Sequence, residues 1–198
     1  MTIKTELVQP LFIRVYHWSF AAAIVVLLYT ALYTHYPVNI LGFVDMGNIK
    51  KAKYMASYIA LFLLLARLYY GIITRDIGHI IFNRQDLKDL PGFFKFYFFL
   101  ARREPPHAKY NPGQKLIFTS WIWVFFFSAI TGFILYDHQR FEWLIPFFGG
   151  LQYLRFLHYL VFLYFLATTI LHVYQAGTED PAKLQAMFTG HMRRKETP

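Results

Sequence analysis

Residues 154–174 read LRFLHYLVFLYFLATTILHVY, an apolar and aromatic run that holds His158 and His172 with no charged residue between them. On an α-helix the 14 residues that separate these histidines correspond to roughly 21 Å of rise and about 1400° of rotation, some 40° from four full turns. Both imidazoles therefore leave nearly the same face, at opposite depths of a slab as thick as a bilayer. A histidine in hydrocarbon is costly unless it is paired or ligated, so both are candidate functional groups. Two on one stripe suggest two stacked haem sites.

The rest of the chain sets the same context. Its 198 residues are 57% hydrophobic and 21% aromatic, lack cysteine and carry a formal charge of +9. A soluble domain of this size does not sustain several separated apolar runs of about twenty residues. The expected class is an all-α membrane protein: a four-helix transmembrane bundle with a short cytoplasmic interfacial helix, forming one domain over 1–198. Spans are expected near 14–35, 52–73, 116–136 and 153–174. The missing cysteines exclude iron–sulfur clusters, thiolate metal sites, covalent c-type haem and disulfides within this chain, which leaves histidine as the leading transition-metal ligand. The first apolar run is as long as a span and lacks a small-residue cleavage site, so it is expected to remain as the first helix.

Between Thr74 and Lys115 the chain is basic, with Arg75, Arg84, Lys88, Lys95, Arg102, Arg103 and Lys109 outweighing Asp76, Asp86, Asp89 and Glu104. Within it, Pro91-Gly92-Phe93-Phe94-Lys95-Phe96-Tyr97-Phe98-Phe99-Leu100 is too short to span and reads as a helix lying in the interface. Membrane contact explains this interleaving of aromatic and basic residues better than nucleic acid does. The break at Glu104-Pro105-Pro106 follows, then a turn into the third span. The polar tail ends in Arg193-Arg194-Lys195. By the positive-inside rule the N-terminus, the basic loop and the tail are cytoplasmic, although Lys50, Lys51 and Lys53 on the other side are a minority counter-signal. His79, His107 and His191 fall in the basic loop and tail, where solvated surface is the default.

Which ligands can meet follows from depth. His17 opens the first span and His172 closes the fourth on the same side, and facing helices of a bundle can supply two imidazoles to a six-coordinate b-type haem. His158 lies one leaflet away and needs a partner. Lys53, His35 and His138 are the candidates. Lys53 precedes Arg67 by the same 14 residues that separate the two histidines. His35 is 18 residues beyond His17, roughly 27 Å along a helix and too near the surface without tilt. His138 is expected in a loop. A snorkelling lysine is the plainer account of Lys53, and a snorkelling arginine that of Arg67. Arg67-Leu68-Tyr69-Tyr70 also stands where a haem propionate could be met.

Arg14-Val15-Tyr16-His17-Trp18, Arg67-Leu68-Tyr69-Tyr70, Tyr110-Asn111-Pro112-Gly113-Gln114-Lys115, Thr131-Gly132-Phe133 and the His158 to His172 spacing resemble the b-type cytochrome subunit of membrane-bound nickel–iron hydrogenases. Formate dehydrogenase and thiosulfate reductase cytochromes are relatives of that family. The likeness covers nearly the whole chain, and His172-Val173-Tyr174 through Glu179-Asp180 and Met187 lean toward the hydrogenase branch. It implies a membrane anchor with one or two b haems, receiving electrons from periplasmic iron–sulfur and catalytic subunits and passing them to quinone near the cytoplasmic haem. Carried over by position, His17, His172 and His158 match haem ligands. Arg67 matches an arginine near a haem edge, and Asn111, Gly113 and Gln114 match a quinone-proximal turn. The expected cofactor contacts are therefore Arg14, Arg67, Asn111, Gly113 and Gln114. Where the family places the outer haem's second histidine this sequence has Lys53, so the expected metal set is His17, His172, His158 and Lys53. A formate dehydrogenase or thiosulfate reductase partner is the rival within this class. A haem-free anchor or proton-relay transporter is the rival from another.

Overall fold

A computed structural model describes residues 3–37, 45–103, 105–107, 110–178 and 181–195. Glu104, Lys109, Glu179 and Asp180 lie outside the described residues, as do the side chains of Arg193, Arg194 and Lys195. The elements in chain order are β1 (Ile3–Leu7), α1 (Leu11–His35), α2 (Met46–Ile73), α3 (Arg84–Tyr97), α4 (Pro112–Tyr136), α5 (Leu151–Thr178), α6 (Pro181–Thr189) and β2 (His191–Lys195). Short 3-10 turns occupy Asp76–His79 and Glu142–Phe148. α1, α2, α4 and α5 are each long and apolar enough to cross a membrane. Large apolar side chains on their outer faces, such as Val25, Phe62, Trp123 and Ile170, stay exposed. Hydrocarbon is the solvent such faces suit, because lipid tails are as apolar as the side chains.

The expected spans end where α1, α2 and α4 end, at His35, Ile73 and Tyr136. Each of the four helices starts earlier than hydropathy indicates; for α2 and α4 a polar cap, Asp45 and Asn111, extends the helix beyond the apolar run. Asp45 accepts from Gly47 N–H and Asn48 N–H, both at 3.1 Å, so α2 begins at Met46 and Lys53 stands two turns inside it. The interfacial helix is also displaced from its expected bounds of Pro91–Leu100. It starts at Arg84 and encloses Pro91. Asn83 and Asp86 form a reciprocal capping box there, a start signal stronger than a proline.

The chain forms two compact units, Met1–Arg67 with Phe162–Pro198, and Leu68–Val161. In the first, β1 pairs antiparallel with β2, from Ile3 opposite Lys195 to Leu7 opposite His191. The chain's lead and its polar tail thus form a ribbon. Val8 and Gln9 donate to the Gly190 carbonyl at 2.9 and 3.1 Å. Gly190 turns the chain from α6 into β2 at φ +84°, and a Cβ there would press on the Gln9 carbonyl at 3.1 Å. Glycine fits this turn for both reasons. α2 buries Ile49, Ala56, Ala60 and Leu64, a stripe of helical period whose alanines permit close approach.

In the second unit α3 is joined to α4. Lys115 Nζ donates to both carboxylate oxygens of Asp86, at 2.9 and 3.2 Å, and both side chains are only 10% exposed. Phe82 N–H donates to Thr119 Oγ1 at 2.8 Å. Phe93 is buried over Gly113, where any Cβ would collide with its ring.

Candidate functional site

α1 and α5 each carry one histidine of the first candidate site. His17 lies in the second turn of α1 and His172 six residues before the end of α5. Both are half-buried. Their ring centroids stand 6.1 Å apart with the planes at 56°. Two metal–imidazole bonds of about 2.0 Å, plus ~1.1 Å from each nitrogen to its ring centre, span roughly 6.2 Å, so the separation of these rings is that of two imidazoles on opposite sides of one metal ion.

The surroundings hold α1 in place. Arg14 Nη1 donates to the Phe188 carbonyl at 2.6 Å and Trp18 Nε1 to the Met187 carbonyl at 3.0 Å. The Trp18 and Phe188 rings lie 4.5 Å apart. Arg14 and Trp18 are four residues apart and share a helix face with His17 between them in sequence. They tie the last turn of α6 to the first turns of α1 beside the histidine. Two polar atoms one turn from the histidines remain buried without a hydrogen-bond partner among the described residues, Arg14 Nε and Thr169 Oγ1. Such atoms cost free energy unless a ligand or water meets them.

His158 occupies the second unit. Its Nδ1 lies 2.9 Å from Thr131 Oγ1, and Gly132 lies beside the ring, where a Cβ would touch His158 Cε1 at 3.4 Å. Of the three candidate partners, His35 is exposed at the end of α1 with its ring 6.3 Å from that of Phe162. His138 is exposed in the turn after α4. Lys53 is half-buried, and its ammonium makes no hydrogen bond or ion pair with a described residue. It stands four residues after Ile49 and three before Ala56, on the buried stripe of α2 and away from the exposed face of Met55, Ile59 and Phe62. Arg67 continues that stripe three residues beyond Leu64 and is half-buried.

Asn111 and Gln114 bond to one another. Asn111 Oδ1 accepts from Gln114 N–H at 2.8 Å, and Gln114 Oε1 accepts from Asn111 N–H at 3.2 Å. This capping box starts α4 behind Pro112 at its first position, and Gly113 receives Phe93. All three residues thus shape the joint between α3 and α4. His79, His107 and His191 are exposed. The roles of Thr131, of the Asp86–Lys115 pair and of α6 were not foreseen. Two of them had a visible signal: a threonine within an apolar span, and the Asn83-to-Asp86 spacing of a capping box.

Residues 8–190 match the family described as prokaryotic cytochrome b561. Among curated proteins the chain is similar to the probable Ni/Fe-hydrogenase B-type cytochrome subunit of Cupriavidus necator, at 28% identity over 206 residues, covering 90% of this chain and 82% of that one. The subunit of the same description from Azotobacter vinelandii is 27% identical, covering 89% and 82%. That from Rhodobacter capsulatus is 26% identical, covering 93% and 80%.

Proposed function

The chain belongs to the prokaryotic cytochrome b561 family, and from that premise we propose that it is the haem b subunit that anchors a periplasmic nickel–iron hydrogenase and passes its electrons to quinone. Membership makes it a multi-pass membrane cytochrome b. The hydrogenase partner is taken from the names of the relatives. The observation that carries the reading is the pair of imidazoles on α1 and α5, 6.1 Å apart, with an unmet arginine N–H one turn from His17. That set fits a haem: two neutral nitrogens for the iron and a cation for a propionate.

The haem supplies the one-electron chemistry when bound. The chain does the rest. His17 and His172 hold the iron, while Arg14 and Arg67 offer charge to the propionates. The α3–α4 joint, built by Asn111, Gly113 and Gln114, shapes a quinone approach on the cytoplasmic side, from which protons would be drawn. A second haem rests on His158, and Lys53 is the residue the sequence offers as its other ligand. A neutral amine can bind iron, and burial beside a metal favours that form. The N-terminus, the loop around α3 and the C-terminus face the cytoplasm by the excess of Lys and Arg.

His172→Ala should lose a low-spin b-type absorption band and hydrogen-dependent quinone reduction together, while the chain still inserts. A His172→Ala protein with an unaltered reduced-minus-oxidised spectrum would remove this reading.

A further inference from the structure

Thr131 is completely buried, at 0% exposure. Its hydroxyl oxygen has three polar neighbours: the carbonyls of Phe127 at 2.9 Å and Ser128 at 3.2 Å, and His158 Nδ1 at 2.9 Å. A hydroxyl has one proton to give. Carbonyl oxygens can only accept, so without that proton two lone-pair-bearing oxygens would face Oγ1 at hydrogen-bond distance. The proton therefore goes to the helix backbone, the usual back-bond of a threonine within a helix. The lone pairs of Oγ1 are left for the ring, and Nδ1 must carry the hydrogen. Nε2 is then the nitrogen that carries the ring's lone pair, the one with which an imidazole binds a metal.

We infer that Thr131 is the positioning residue for His158: it fixes the Nδ1–H tautomer and makes the imidazole a stronger donor to the iron it binds. The inference rests on the reading of His158 as a haem ligand. An acceptor on the far ring nitrogen orients a ligating histidine and raises its basicity, which favours the ferric form and lowers the reduction potential.

Three variants test this in the full-length protein purified with its haem, by potentiometric titration and by the electron paramagnetic resonance of the ferric state. Thr131→Val keeps the shape but removes the acceptor. The potential of the His158 haem should rise by about a tenfold change in its reduction equilibrium, about 59 mV for one electron, with a shifted low-spin signal. Thr131→Ser retains the hydroxyl and should keep the wild-type potential and signal. Loss of that haem in Thr131→Val with retention in Thr131→Ser supports the inference equally. His158→Ala tests the underlying reading, because it should lower the haem-to-polypeptide ratio. If it does not, that reading fails and takes the inference with it. If His158→Ala loses a haem but the valine and serine proteins behave alike, the inference alone is overturned.

Discussion

Lys53 shows how a residue's neighbours change its meaning. As a lone cation at the edge of an apolar run it reads as a side chain reaching back to the headgroups. Capping of α2 by Asp45 moves the helix start to Met46, and the buried stripe of Ile49, Ala56, Ala60 and Leu64 puts Lys53 on the packed side. A lysine there needs a partner, and iron is one that a neutral amine can serve. Lys53→Met, which keeps length but offers only a thioether, should lower the haem-to-polypeptide ratio or convert one haem to a different low-spin signal in a pyridine-haemochrome assay and resonance spectrum. Unchanged stoichiometry and signal would return Lys53 to the headgroups. Gly113 illustrates the opposite case. Sequence places it in a turn, whereas the packing requires that it be bare, since Phe93 occupies the space of its side chain.

Helices α3 and α4 are joined through their first turns. Asp86 accepts from Asn83 N–H at 2.8 Å and from Lys115, so one carboxylate caps α3 and neutralises a cation in the first turn of α4. A lysine near a helix N-terminus opposes the helix dipole, and the carboxylate offsets this. Removing one member of a buried pair leaves the other charged without compensation, which costs about 3–5 kcal/mol. Asp86→Ala should therefore lower the thermal unfolding midpoint in detergent markedly. The double variant Asp86→Leu with Lys115→Met should recover most of the loss, because two apolar side chains need no pairing. Circular dichroism against temperature reads both. The outward side chains of the same segment, Leu87, Phe94, Phe98 and Phe99, stay exposed, as a helix in the membrane interface requires.

The whole molecule depends on its two ends meeting. β1 and β2 pair, and α6 presents carbonyls to Arg14 and Trp18 around His17. Removing residues 179–198 should leave the four spans able to insert but deprive α1 of those anchors. The truncated protein is expected to retain less haem on detergent extraction, measured as haem per polypeptide. A ratio equal to that of the full chain would show that α1 holds His17 in place unaided. By itself the sequence determined the membrane class, the four spans, the exits of three of them and the types of the candidate ligands. It did so because hydrocarbon tests each window of about twenty residues separately. Capping residues were legible in principle through the Asn-to-Asp and Asn-to-Gln spacings, but hydropathy outweighed them and set three helix starts too late by four to seven residues. Only the tertiary structure decided that His17 and His172 stand a metal's width apart, that Thr131 holds His158, that Asp86 meets Lys115 and that the termini form a ribbon. Each of these joins residues 27 or more positions apart in sequence. Such pairings depend on side-chain rotamers and helix rotation, which no local pattern of apolar and polar residues encodes.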